Sequence, residues 1–203
     1  MSNAIWMILY DLQREREAEY MDWFHDIHIP EKLARPGYTW AAHYAEEGDN
    51  GLSCIALFGG LNSGVFLNPS PAQIKPTQTA ETRDMMGCRS NGRSLILAEE
   101  WASDGEGEIS DLDPAINAKA IAVTLCDTAG NDEDFGAWLI QEHRKDATKG
   151  SECKSLRKYL ASVGGAKHAI IHEYEGPAAP QFKKEYATFP LGPTQTGKRL
   201  WPV

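Results

Sequence analysis

The sequence predicts an α+β fold made of two units, each with the order strand, helix, strand, strand, helix, strand. Apolar runs of strand length alternate with helical periodicity in both halves of the 203-residue chain. Trp23 stands five residues before His28. The same spacing joins Trp138 to His143, 115 residues further along the chain. A repeated spacing of this kind is typical of a duplicated unit.

The same offset of 115 relates three further pairs, which are Tyr20 with Phe135, Tyr44 with Tyr159, and Ile55 with Ile170. The expected organisation is a first unit at residues 1–101, an acidic linker at 102–116 and a second, more degenerate unit at 117–203. Few aligned residues are identical, so chance similarity is the alternative interpretation.

In the first unit, apolar runs predict strands at residues 4–11, 38–45, 53–58 and 95–101. Tyr20, Phe24, Ile27 and His28 share one face of the helix that precedes Pro30 and Pro36. Residues 59–78 predict a long loop over a pocket, and residues 79–86 a short helix. In the second unit we expect strands at 118–126, 156–162, 168–174 and 199–203, and helices at 133–144 and 181–188.

The composition excludes several classes of partner. The formal charge of −9 and the absence of a basic block argue against nucleic acid and against anionic membrane surfaces. No apolar run approaches the roughly 18 residues that a membrane span needs. The four cysteines form no CxxC pair, which favours idle thiols and a cytoplasmic location.

Seven residues carry a resemblance to a known family, namely Trp23, His28, Pro30, Glu31, Pro36, Gly37 and Tyr38. This W-x4-H-x-P-E helix end with its P-G-aromatic turn resembles the dimeric α/β-barrel superfamily, in particular its EthD-like and small polyketide-cyclase-like branches. The resemblance covers residues 4–101 and extends to the second unit only in outline. It implies two ferredoxin-like β-α-β-β-α-β units, packed sheet to sheet as a fused dimeric α/β-barrel.

His28 is the leading candidate for a catalytic residue. Its imidazole can take and return a proton near neutral pH. In proteins similar to this family the histidine at this motif position acts on the substrate, which implies a general base here. The alternative is a core histidine that donates one N–H to a backbone carbonyl.

An aromatic surface is expected beside this histidine. Strand alternation places Tyr38, Trp40 and Tyr44 on one face and His43 on the other. With Tyr10 and Phe24, these rings would bind a flat apolar ligand, and the Tyr44 hydroxyl would stabilise an oxyanion. Ordinary barrel core is the alternative for each ring.

The other histidines give weaker signals. The spacing of His25 and His28 would allow a metal pair, but we expect no metal and place His25 and Asp26 on the solvated face. His168 and His172 share a strand face and are expected to be surface or structural residues. His143, the counterpart of His28, is expected to be structural.

The sequence favours a cofactor-free enzyme of cyclase, dehydratase, isomerase or oxygenase type. Its partner would be a small hydrophobic or aromatic ligand with an enolisable carbonyl, such as a polyketide-like compound. A non-catalytic binding or accessory protein of the same fold is the alternative, and a haem-binding barrel is the third. The sequence leaves open a homodimer of the fused pair.

Overall fold

The computed structural model describes residues 3–149, 152–178, 189 and 191–203. The strands of this part are β1 (Ala4–Gln13), β2 (Tyr38–Gly48), β3 (Gly51–Gly60), β4 (Arg89–Ser103), β5 (Ala120–Cys126), β6 (Cys153–Val163), β7 (His168–Tyr174) and β8 (Leu191–Trp201). They close into an antiparallel barrel in the order β1-β3-β2-β8-β5-β7-β6-β4. Each half contributes four neighbouring strands in the order expected for a ferredoxin-like sheet.

The helices pack outside the barrel. The α-helices are α1 (Glu17–Trp23), α2 (Ile29–Leu33), α3 (Pro71–Ile74), α4 (Ala80–Gly87), α5 (Asp132–Trp138) and α6 (Arg144–Thr148). A π-helical turn, Phe24–His28, joins α1 to α2, and a second one, Leu139–His143, joins α5 to α6. Three-residue and four-residue 3₁₀ turns occur at Arg14–Arg16, Ser63–Phe66 and Lys75–Thr77.

Strand alternation separates two kinds of core. The barrel interior is filled by aliphatic side chains from both halves, among them Met7, Leu57, Leu97, Val123 and Ile171. The opposite sheet face packs against the helices, through rings such as Trp6, Tyr10, Phe24 and Phe58 in the first half. Burying both faces removes the bare sheet face that a single ferredoxin-like unit would expose.

The two halves repeat the helical part with one constant offset. α5 begins and ends 115 residues after α1, since 17 + 115 = 132 and 23 + 115 = 138. The second π-turn follows the first by the same 115 residues, as α6 follows α2 and β6 follows β2. The offset of 115 that relates single residues in the sequence therefore also relates whole helices and strands, because their first and last residues differ by the same number.

The offset changes at the following hairpin. Tyr44 lies opposite Ile55, whereas Tyr159 lies opposite Ala169, which gives an offset of 169 − 55 = 114. Ile55 faces the barrel interior, but Ile170 packs against the helices. The predicted correspondence of Ile55 with Ile170 is wrong, because the second hairpin connection is one residue shorter and reverses the alternation.

Several element boundaries differ from those predicted. β4 begins at Arg89 and continues to Ser103, two residues into the segment predicted as a linker. β8 begins at Leu191, eight residues before the predicted terminal strand. The predicted helix at 181–188 lies outside the described residues. All four cysteines are buried, as expected. None of the described helices has the length and hydropathy to span a membrane.

Candidate functional site

A cavity of about 510 Å³ lies on the helix side of the first half. Its wall is built from β1, β4, the end of the π-turn, α2, and the segment from α3 to α4. The lining residues are Trp6, Ile8, His28, Lys32, Pro71, Ala72, Ile74, Lys75, Gln78, Arg83, Met86, Gly87, Arg89 and Ser94. The part of the predicted 59–78 loop that begins at Pro71 therefore covers this cavity, as the sequence suggested.

The π-turn fixes the direction of His28. The Ile29 N–H bonds to the Phe24 carbonyl, a five-residue step instead of the four of an α-helix. Pro30 follows and has no N–H to continue the α-helical pattern. The extra residue keeps His28 on the buried face and turns Ile27 outward, where it is 40% exposed. The prediction that Ile27 shares a helix face with His28 is therefore wrong.

His28 is a buried imidazole with free hydrogen-bonding capacity. Its side chain is 4% exposed, and the Trp23 ring packs against it at 4.6 Å between centroids. Its Nδ1 has no hydrogen-bond partner among the described residues. Burial, and then the positive charges of Lys32, Arg89 and Arg35, lower the pKa of His28 to about 2. The ring is therefore neutral at physiological pH.

Lys32 stands one helical turn after His28 and lines the same cavity. The residue is 6% exposed, and its ammonium lies over the Trp6 ring, 5.8 Å from the centroid. Burial, helped by Arg35 and opposed by Glu31, lowers the pKa of Lys32 to about 8. It forms no ion pair within the described residues. Its charge is thus available to a ligand.

Arg89 supplies a second fixed cation. Its Nε donates to the Tyr20 hydroxyl at 2.6 Å, and its guanidinium stacks 4.3 Å from the Tyr10 ring centroid. Its Nη2 is buried and has no hydrogen-bond partner among the described residues. These contacts hold the guanidinium in one orientation at the cavity wall.

A hydrogen-bonded chain runs from Arg89 through the wall to the surface. The Tyr20 hydroxyl donates to the Tyr10 hydroxyl at 2.9 Å, and Tyr10 bonds His43 Nε2 at 3.0 Å. His43 Nδ1 bonds His25 Nε2 at 2.8 Å. Arg89 can only donate, so its bond to Tyr20 sets the direction of the other hydrogen bonds. Tyr20 then donates to Tyr10, Tyr10 to His43 and His43 to His25, and both histidines are neutral. Burial lowers the pKa of His43 and of His25, in agreement with that state.

The predicted aromatic surface is divided by the sheet. Tyr10 and Phe24 lie on the helix side, in the wall behind His28. Tyr38 lies there too, with its ring 5.1 Å from that of Phe66, because a β-bulge between Tyr38 and Trp40 breaks the alternation. Trp40 packs against the barrel interior. The prediction that Tyr38 and Trp40 share a face is therefore wrong.

Tyr44 also lies inside the barrel. It is fully buried, and its hydroxyl donates to the Ile116 and Ala118 carbonyls, both at 3.2 Å. It cannot stabilise an oxyanion beside His28, because the sheet stands between them. The prediction that His43 faces away from Tyr44 is confirmed.

The remaining histidines are buried or engaged. His25 is only half-buried but bonds His43, so its prediction as a solvated residue is wrong, whereas Asp26 is exposed. His143 Nε2 lies 3.0 Å from His172 Nε2. His168 bonds the Asp132 carboxylate at 2.8 Å. Within the described residues, no group of three or more His, Cys, Asp or Glu could hold a metal ion.

Sequence reasoning missed the cations of the site. Lys32 had a detectable signal, because it follows His28 by four residues and so shares its helix face. Arg89 had none, since it lies 61 positions further along the chain than His28 and the contact depends on the fold.

A second cavity, of about 440 Å³, opens at one end of the barrel beside Arg93, Leu95 and Leu125. Its charged lining residues, Arg93 and Asp127, are both exposed. The first cavity is the stronger candidate because His28 and Lys32 are buried there with strongly perturbed pKa values.

Comparison with known proteins gives the fold. No family model matches the chain, and no curated protein does. An anthrone oxidase-like protein superposes with a TM-score of 0.64 at 9% identity, over 97% of this chain and 90% of its own. The fold is that of the ferredoxin-like α/β-barrel proteins.

Two further solved structures share this barrel within one chain. A monooxygenase-like protein from Fusobacterium nucleatum has a TM-score of 0.60 at 10% identity, covering 98% of this chain and 91% of its own. Chlorite dismutase from Candidatus Nitrospira defluvii has a TM-score of 0.61 at 12% identity, covering 97% and 90%. At such identities the likeness extends to the fold alone.

Proposed function

We propose that the protein is a cofactor-free enzyme that acts on a small, enolisable aromatic compound in the His28 cavity. The observation that carries this proposal is the buried imidazole of His28, which lines a partly apolar cavity together with Lys32 and Arg89. Such a combination of an apolar wall with few convergent polar groups is typical of small-molecule sites. The monooxygenase-like and anthrone oxidase-like structural neighbours support a small-molecule reaction on this fold.

The chemistry follows from the charges around the cavity. His28 would take a proton from the carbon next to a carbonyl group, and the electron pair would move to the carbonyl oxygen as an enolate. Lys32 and Arg89 would stabilise the enolate oxygen, the role expected of Tyr44 from the sequence. A base with a pKa of about 2 is weak in the free protein. The negative charge that develops beside it favours the imidazolium and offsets this weakness.

We also infer that the chain is a fused pair of ferredoxin-like units. The support is the offset of 115 shared by α1 and α5, by the two π-turns, by α2 and α6, and by β2 and β6. Each π-turn ends in a histidine packed on a tryptophan ring, at 4.6 Å in the first half and 4.8 Å in the second. The first unit would carry the working site, and the second the structural counterpart.

Haem is not a good fit to the histidines of the second unit. A haem-binding protein from Thermus thermophilus shares the fold at a TM-score of 0.50. In this chain, however, the Nε2 atoms of His143 and His172 bond each other within a cluster of apolar side chains. Ligation would require both rings to give up this contact. A Soret band in haem-supplemented protein would contradict this interpretation.

Replacing His28 with alanine should lower turnover by about 10²- to 10⁴-fold, the usual contribution of a general base. The substrate panel should contain enolisable aromatics, including anthrone, assayed by absorbance in air and under nitrogen. The circular dichroism spectrum should stay that of the wild type, because His28 makes no hydrogen bond through Nδ1 among the described residues.

The matched control is His143→Ala, the same substitution at the counterpart position in the second half. It should retain turnover, because His143 is not among the residues that line the cavity. Wild-type turnover in folded His28→Ala would refute the assignment of the base. Tight binding of the panel without any conversion by the wild type would favour the non-catalytic alternative instead.

A further inference from the structure

The charges lining the His28 cavity have one sign. Lys32, Lys75, Arg83 and Arg89 line it, and no Asp or Glu does so among the described residues. This occurs in a chain whose formal charge is −9. A cluster of cations without carboxylates is costly in a partly buried site, because each positive charge opposes the others.

Two of these cations, Lys32 and Arg89, are buried or half-buried, whereas Lys75 and Arg83 are exposed. Lys32 is 6% exposed and lies in no ion pair within the described chain. The Nη2 of Arg89 is buried and lacks a hydrogen-bond partner there. A buried donor without an acceptor costs free energy that a ligand can recover. The two residues come from α2 and the start of β4 and line the same cavity, so an anion bound there would meet positive charge from two elements.

Apart from His28, Gln78 and Ser94, the rest of the wall is apolar or aromatic. Trp6, Ile8, Pro71, Ile74 and Met86 contribute to it. The Trp6 indole N–H is occupied by a 2.8 Å hydrogen bond to the Ser94 hydroxyl, so this ring offers its apolar surface to a ligand. The cavity thus combines positive charges with an apolar surface.

From these features we infer that the cavity binds an aromatic monoanion with its ring against Trp6. Its oxyanion, a carboxylate or a phenolate, would lie between Lys32 and Arg89, at the position assigned above to the enolate oxygen. This inference names the class of ligand for the site proposed above. It rests on the proposed function only in taking that ligand to be the substrate. The anion would supply the negative charge that the site lacks. A neutral aromatic of the same shape would leave the Arg89 donor and the Lys32 charge uncompensated.

The test compares 2-naphthoate with 2-naphthamide, which has nearly the same shape but no charge. Dissociation constants are measured by calorimetry at neutral pH in low and high salt. We expect naphthoate to bind at least roughly tenfold more tightly, as one charge-assisted hydrogen bond allows, and to weaken in high salt. Equal or tighter binding of naphthamide, or no binding of either compound, would overturn the inference.

Lys32→Met removes the charge and keeps the length of the side chain. It should abolish most of the preference for naphthoate and leave the affinity for naphthamide within about twofold. Lys119→Met, at an exposed lysine paired with Glu175 elsewhere on the surface, is the control and should change neither affinity. A preference that survives in folded Lys32→Met would contradict the assignment.

The outcomes separate this inference from the proposed function. Binding of naphthoate with normal turnover in His28→Ala would leave the anion site standing and remove the proposed base. If the turnover of neutral enolisable aromatics depends on His28 but the protein shows no preference for naphthoate, the proposed base is supported and the anion site is refuted.

Discussion

Replacing Arg157 with methionine should lower the free energy of unfolding by about 3–5 kcal/mol, the usual cost of breaking a buried ion pair from one side. Arg157 lies inside the barrel, with its side chain 3% exposed. It donates to Glu173 at 2.6 Å, to Glu99 at 3.0 Å and to the Asp113 carbonyl at 2.8 Å. Methionine would leave two carboxylates close together without a counter-charge.

The measurement is urea unfolding at neutral pH. Arg14→Met is the matched control, because Arg14 pairs with Glu47 at the surface, where the two side chains are 57% and 71% exposed. That change should be hard to distinguish from the wild type, since exposed pairs are screened by solvent. Adding Glu99→Gln and Glu173→Gln to Arg157→Met should restore part of the loss. A small effect of Arg157→Met alone would show that the network contributes little.

The network also shows why part of the fold is beyond sequence reasoning. It joins β4 of the first half to β6 and β7 of the second, and Tyr159 adds a hydroxyl that donates to Glu99 at 3.1 Å. Arg157 and Glu99 are 58 positions apart. No local pattern relates residues at such a distance, whereas the periodicity of single elements depends only on near neighbours. The buried charges of the barrel were therefore not predicted.

Local patterns did predict the elements and much of their order. The spacing of Tyr20, Phe24 and His28 identified the buried helix face, and the composition around Thr79 identified the short helix that it caps. Boundaries shifted where tertiary pairing extends a strand, as at Arg89, where β4 continues alongside β1. Pairing across a barrel orders backbone that has no apolar pattern of its own.

The sequence predicted the histidine of the candidate site but not its two cations, Lys32 and Arg89. His28 was identified correctly as a buried residue that lines a cavity, although its role stays a proposal. The proposed partnership with Tyr44 failed, although the sequence contained the information to reject it. Alternation placed His43 and Tyr44 on opposite faces, and a helix can pack against only one of them. The bulge before Trp40 is different, because a single extra residue leaves no clear signal in the sequence.

The buried histidines should make the protein sensitive to acid. His28, His43, His143 and His172 are all buried, and burial is the main cause that lowers each pKa in the folded state. The pKa values are about 2 for His28, about 4 for His143 and about 3 for His172. In the unfolded chain each would titrate near its ordinary value of about 6.5. Acid therefore protonates the unfolded state first.

Protonation of the unfolded chain lowers the stability of the folded protein in acid. Stability is fully present above about pH 6.5 and is lost as the pH falls towards the folded-state pKa values, by about 1.4 kcal/mol per pH unit for each neutral histidine. Four such groups together lose about 5.5 kcal/mol per pH unit, so we expect the roughly 5–15 kcal/mol that holds a domain folded to be lost between about pH 5.5 and about pH 4. Urea unfolding at about pH 7.5 and about pH 5.5 should show the loss.

His28→Phe isolates one contribution to this acid sensitivity. Phenylalanine keeps a ring against Trp23 and Phe24 but cannot take up a proton in either state. The pH dependence of its unfolding free energy should be shallower than that of the wild type by about 1.4 kcal/mol per pH unit. An unchanged slope would mean that His28 binds protons equally in the folded and unfolded states, so that it keeps its ordinary pKa in the folded protein. Burial, the main cause that lowers this pKa, would then cost the imidazolium less than the position of His28 indicates.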